Sequence, residues 1–113
     1  MSKTIFSAKL NAVDGFNEPV PVQGIPGWTV FKKRQSEIYE VTHNLGLSHP
    51  ELEFQVVATP MSDNARVVVE SVDENSFTLS TWSVKSGGAM QTDLMFIASS
   101  SISPPSSPQL NNS

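Results

Sequence analysis

Between residues 51 and 58 the chain reads Glu-Leu-Glu-Phe-Gln-Val-Val-Ala, which puts Leu52, Phe54, Val56 and Ala58 on one side of an extended backbone and Glu51, Glu53 and Gln55 on the other. Side chains of a strand alternate between faces, so this spacing predicts a half-buried β-strand. The same period recurs along the chain, and helical periodicity hardly occurs. Phe6, Ala8 and Leu10 alternate near the start, and Trp28 and Val30 alternate with Thr29 and Phe31. Ile38 to Val41 faces the preceding segment across the polar link Lys33 to Glu37, which reads as a hairpin. Arg66 to Val72 is rich in β-branched residues, which favour strands over helices. The turn formers Asp73-Glu74-Asn75 lead into a further strand over residues 76–84.

Within 76–84 the large apolar residues change parity, from Phe77 and Leu79 to Trp82 and Val84, which predicts a bulge or sharp twist near Ser80 and Thr81. Ser86-Gly87-Gly88 reads as a flexible loop, and Thr92 to Ala98 closes the set as a strand apolar on both sides. About seven short strands separated by turns predict an all-β fold, a small antiparallel β-sandwich. Asp14 to Gly27 carries Pro19, Pro21 and Pro26 with three glycines, so a loop or edge segment without regular pairing is expected. The organisation expected is an N-terminal strand with a Pro/Gly-rich anchoring segment over 1–25, a sandwich over 26–98, and a Ser/Pro-rich tail over 99–113. That tail has too little apolar content to offset its ordering entropy, so it is expected to be disordered or held by a partner.

Charged residues make up only 16% of the chain, below the roughly 25% of ordinary soluble proteins, and such a surface suits a protein that assembles. A net charge of −4 argues against nucleic acid, whose phosphates need clustered cations. The one basic cluster, Lys32-Lys33-Arg34, reads as the polar tip of a hairpin. There is no cysteine, so neither a disulfide nor a thiolate metal site is available. The N-terminus lacks the apolar run of a secretory signal, and no segment approaches the roughly 20 apolar residues of a membrane helix. Synthesis in the cytoplasm without membrane insertion is expected.

No motif with catalytic spacing emerges. His43 and His49 flank a turn, but the Gly-x-Ser-x-Gly elbow is missing, and two histidines six apart are a weak metal signal. His43 is expected to cap its turn by hydrogen bonding, beside an Asn and a Gly that tolerate left-handed backbone. Glu51 with Glu53, and Asp73 with Glu74, are what solvation and turn formation alone would produce. Neither enzymatic activity nor a cofactor is therefore expected. Aromatic residues remain as candidates for binding. Trp28 is expected chiefly to plug one end of the core. Trp82, with Lys85, Met90 and Gln91 in the loop that follows, divides between core, subunit interface and ligand contact.

The order of Pro26-Gly27-Trp28-Thr29-Val30, then Tyr39-Glu40-Val41-Thr42-His43-Asn44-Leu45-Gly46, then Asn75-Ser76-Phe77-Thr78-Leu79 and Thr92 to Ala98, resembles small β-sandwich modules of bacteriophage tail fibres and is similar to H-type lectin-like sandwiches. That resemblance covers roughly residues 26–98 and lies in scaffold strands and turns, so it transfers no sugar-binding residue. It implies a non-enzymatic virion protein: a homotrimer contacting other virion proteins and a host surface glycan, as a short fibre or adhesin. A capsid decoration protein and a free carbohydrate-binding lectin are the alternatives. The repetitive fibre shaft is missing, which leaves the stretch before residue 26 or the tail to anchor the module.

Overall fold

A computed structural model describes residues 4–11 and 15–100. They form eight strands and one helical turn: β1 (Thr4–Leu10), β2 (Val20–Pro21), β3 (Thr29–Phe31), β4 (Ile38–Thr42), α1 (Pro50–Glu53), β5 (Phe54–Pro60), β6 (Ala65–Val72), β7 (Ser76–Ser83) and β8 (Leu94–Ser100). Two antiparallel sheets result, one ordered β1-β8-β5 and the other β2-β3-β4-β7-β6. This is the expected all-β antiparallel sandwich. The tail beyond Ser100 lies outside the described residues, as do Met1 to Lys3 and residues 12–14.

Alternation explains which residues fill the space between the sheets. From β8 come Leu94, Phe96 and Ala98, from β4 Tyr39 and Val41, and from β7 Phe77 and Leu79, all buried. Leu10, Val22 and Ile25 join the same core, so the sandwich extends to the N-terminal side of residue 26, and β8 carries it on to Ser100. The Pro-rich segment does pair: Val20 and Pro21 lie opposite Val30 and Thr29 as a two-residue edge strand. Proline fits there because an edge strand has an N–H side with no partner to supply.

Three further expectations change. Leu52 is 74% exposed and sits in α1, because Pro50 favours the first turn of a helix and α1 ends at Glu53, so the strand begins only at Phe54. The bulge lies not on β7 but on its neighbour, where the β6 register shifts between Val69 and Ser71 and leaves Glu70 as the extra residue. β7 itself keeps its parity, with Phe77, Leu79 and Thr81 buried and facing inward, so Trp82 falls on the outer face. Lys32 is not a hairpin tip. It is fully buried, its Nζ donating to the carbonyls of Lys33 (3.2 Å) and Ser36 (2.9 Å) and lying 6.0 Å from the Tyr39 ring centroid. A lysine enters a core when acceptors replace its water.

The two flanks of the sandwich differ. On one, β5 passes into β6 and the two strands pack together. On the other, the edge strands are β1 and the short β2, and among the described residues a cleft lies between them.

Candidate functional site

The turn after β4 is built by two left-handed residues, Asn44 (φ 57°) and Gly46 (φ 63°), which reverse the chain onto the β6–β7 connection. The backbone N–H groups of His43 and Asn44 donate to the Asn75 carbonyl, Gly46 N–H donates to Asn75 Oδ1, and Leu47 N–H donates to the Glu74 carbonyl. His43 caps the turn as expected, its Nδ1 accepting the Leu45 N–H at 3.0 Å. That bond places the ring proton on Nε2, which is buried with no hydrogen-bond partner. Burial pushes the His43 pKa down, opposed by the Asp73 carbonyl nearby. His49 is exposed, at the start of α1, so the two histidines do not form a pair. No group of three or more His, Asp or Glu able to hold a metal occurs among the described residues.

Trp28 lies at the centre of an aromatic cluster. Phe6 is 4.6 Å away, Phe96 stacks on it at 6.1 Å with planes 4° apart, and Phe77 meets it edge-on at 6.1 Å. His43 and Phe54 complete the shell. With 4% of its surface exposed, Trp28 has no face left for a ligand and acts as the plug of this end of the core.

Trp82 is half-buried against the outer face of the larger sheet. Its Nε1–H donates to Ser80 Oγ (2.7 Å), and Ser80 Oγ–H donates to Glu70 Oε2 (2.5 Å). The bulge brings Glu70 to this position, and the pair of bonds satisfies a serine hydroxyl that is wholly buried under the indole. Arg66 lies opposite Trp82 in the register. The following loop is tied back to β7: Ser83 N–H donates to the Gly88 carbonyl, Gly87 N–H to the Ser83 carbonyl and Met90 N–H to the Thr81 carbonyl. Ala89 bridges Trp82, so Met90 runs beside β7, while Lys85 and Gln91 are exposed. Trp82 and the loop thus share one surface, and Trp28 lies apart from them in the core.

The outer face of the smaller sheet has a different character. Ile5 and Val57 are each 67% exposed, Ile97 55% and Met95 46%. Ile97 lies between Ser7 and Val57 across the three strands, with Met95 two residues along on the same face. Lys9 is the sole charged residue among the outward-facing positions of these strands. Four of the nine outward-facing positions, Ile5, Val57, Met95 and Ile97, are apolar, interspersed with Ser7, Lys9, Gln55, Thr59 and Ser99, which is more apolar than the polar outer face of an ordinary water-facing sheet. The both-sided apolarity of Thr92 to Ala98 was the sequence signal for it.

The flank between β1 and β2 holds a feature that no motif announced. A cleft of about 250 Å³ lies there, with the buried Leu10, Val22, Val30 and Tyr39 in its wall and Phe16 and Val20 half-buried beside them. The Tyr39 hydroxyl is shut off from solvent and has no hydrogen-bond partner, an arrangement that costs about 1–3 kcal/mol. Burial, and then the Asp93 carboxylate, push its pKa up, so it stays a neutral donor and acceptor.

No family model matches the chain, and no curated protein and no solved structure matches it either.

Proposed function

We propose that this protein is a non-enzymatic structural module of a virion, a short fibre or adhesin that assembles as a homotrimer and presents its loops to a host surface. The observation that carries the reading is the apolar outer face of the smaller sheet, formed by Ile5, Val57, Met95 and Ile97 with a single charge at its margin. A face of this kind is stabilised by burial at roughly 25 cal/mol per Å² of apolar area removed from water, and its near-absence of charge lets identical copies meet without like-charge repulsion. The scarcity of charge over the whole chain supports the same reading. The trimer and the virion setting rest on the resemblance to fibre modules.

The opposite face supplies the contact surface in this reading, with half-buried Trp82 beside Glu70 and Arg66 and the Lys85 loop at its end. An aromatic plate flanked by polar groups suits a glycan, which is also what a free lectin would use. Sedimentation at micromolar concentration tests the reading: an assembly of three 12.3 kDa chains is expected, reduced to monomer by Ile97→Lys. A clean monomer in the unsubstituted protein would overturn it. Imaging of assembled particles then separates a fibre from a capsid decoration protein by where the copies sit.

A further inference from the structure

We propose that β1 is an assembly edge at which two copies of this chain join, strand against strand in antiparallel register, so that their smaller sheets become one continuous sheet. The unpaired N–H and C=O groups of an edge strand are a template for a further strand unless something blocks them, and the four edge strands here differ in that respect. β2 is two residues long and contains Pro21. β6 is interrupted by the bulge at Glu70 and carries Arg66. β5 ends on Pro60 and packs beside β6. β1 has no such device: its seven residues pair with β8 in unbroken register, without proline or bulge, and among the described residues no other strand pairs with it. Its inward side chains show the same incompleteness. Phe6 and Ala8 are only partly buried, whereas Ala98 and Phe96, their partners on β8, are 0% and 1% exposed.

The sequence of β1 makes a second copy the occupant that fits. A two-fold axis through Ser7 sets Ser7 opposite its counterpart, Ile5 opposite Lys9 and Thr4 opposite Leu10, so all seven residues pair, whereas an axis shifted by one residue leaves strand ends unpaired. Residues directly opposite in antiparallel strands share a face, so Ile5, Ser7 and Lys9 stay outward in both copies and Phe6 and Ala8 stay inward. The two Lys9 ammonium groups are then about 13 Å apart along the strand direction, beyond the screening length at physiological salt, and the aliphatic stem of each lies over the other copy's Ile5. This pairing leaves Val57, Met95 and Ile97 uncovered. It is therefore a contact separate from the trimer face, joining trimers in pairs, or monomers if there is no trimer. A single pair of edge strands buries less than an ordinary stable interface, so the contact acts at high concentration or where copies are crowded on a larger assembly.

The test compares the unsubstituted full chain with Ser7→Lys, Ser7→Glu and an equimolar mixture of the two variants, by sedimentation at about 10 µM and about 1 mM. Ser7 is exposed, so neither side chain has to be accommodated in the core. The mass of the unsubstituted protein is expected to double between the two concentrations. Each charged variant alone should lose roughly fivefold in pairing affinity, because its like charges sit directly opposite one another, and the mixture should regain it. Ile97→Lys, which removes the trimer, should still pair. The absence of doubling in the unsubstituted protein would overturn the proposal, as would a doubling that both charged variants retain, or a loss in each that the mixture does not repair. Hydrogen exchange supplies a check that needs no variant: alternate β1 amides should exchange fast at the low concentration and more slowly at the high one. Alternate amides already protected at the low concentration, as another segment of the same chain lying on β1 would make them, would overturn the proposal as well.

Discussion

Two buried polar atoms lack partners among the described residues, His43 Nε2 and the Tyr39 hydroxyl, and both residues face inward with Val41 between them. Their surroundings differ. His43 is walled in by Trp28, Phe54 and Phe77, and its other nitrogen holds the turn together. Tyr39 borders a cleft that opens between two edge strands. An orphaned group inside a closed wall is a cost the fold accepts because the same side chain does structural work on its other side. The Tyr39 hydroxyl lies in the wall beside a cleft yet is itself shut off from solvent, so its cost is offset only by the packing of its ring.

Substitutions should separate the two regions, with the closed end giving the largest effects. Trp28→Ala removes the ring on which Phe6, Phe54, Phe77, Phe96 and His43 converge, and a loss of about 3–5 kcal/mol is expected by urea unfolding. That is much of the total stability of a small domain, so the variant should be largely unfolded well below the unsubstituted protein's midpoint. A loss under 1 kcal/mol would mean that this end is not the packed wall described.

Gly46→Ala probes the turn alone. Its φ is +63° and a Cβ would meet nothing within 4 Å, so the cost is purely conformational, about 1–2 kcal/mol. Thermal unfolding checks it, and a larger fall would reveal a steric role that the open space at this position argues against.

The His43 ring gives the closed end a dependence on pH. Its folded-state pKa is lowered below the 6.5 of the free side chain, so the neutral ring is the form the fold favours. Stability from this group is fully present above 6.5 and is lost as pH falls below it, because the unfolded chain then binds the proton first. His43→Leu should be less stable at neutral pH by about 1 kcal/mol, since Leu45 N–H loses its acceptor, but its stability should fall less steeply on acidification just below 6.5. Identical slopes in the two proteins would exclude the ring as the source.

How far these regions could be read from the chain follows from what periodicity encodes. Alternation places Phe54, Val56 and Ala58 correctly because every second residue of a strand shares a face, and it fails at Leu52 because Pro50 starts a helical turn that keeps the same letters out of the strand. The parity change at Trp82 does not mark a bulge: β7 alternates unbroken and Trp82 is simply a large apolar residue on its outer face, while the bulge in the pairing lies on β6 at Glu70, which no change of parity announces. Lys32 reads as exposed because charge is ordinarily solvated, and only the folded chain shows the two carbonyls that receive its ammonium group. Trp28 as a core plug and His43 as a turn cap are legible, since Gly and Asn mark the reversal and a large ring beside it has to be buried. The Tyr39 cleft is not legible, because it arises from the shortness of β2 and from a hydroxyl that ends up with nothing opposite it.

The smallest expected effect belongs to the cleft and has the opposite sign. Tyr39→Phe keeps the ring that packs in the core, 6.0 Å from Lys32 Nζ, and removes only the oxygen that has no partner. Truncating a buried tyrosine hydroxyl ordinarily destabilises, because it breaks a hydrogen bond and leaves a void. Here there is no bond to break and the void adjoins a cleft that already exists, so the substitution should be neutral or stabilising by up to about 1 kcal/mol. Urea unfolding above pH 7, where His43 contributes no slope, is the suitable measurement. A loss of more than 1 kcal/mol would mean that the hydroxyl is already satisfied in solution, and the contrast between the two orphaned groups would then collapse to a single one at His43.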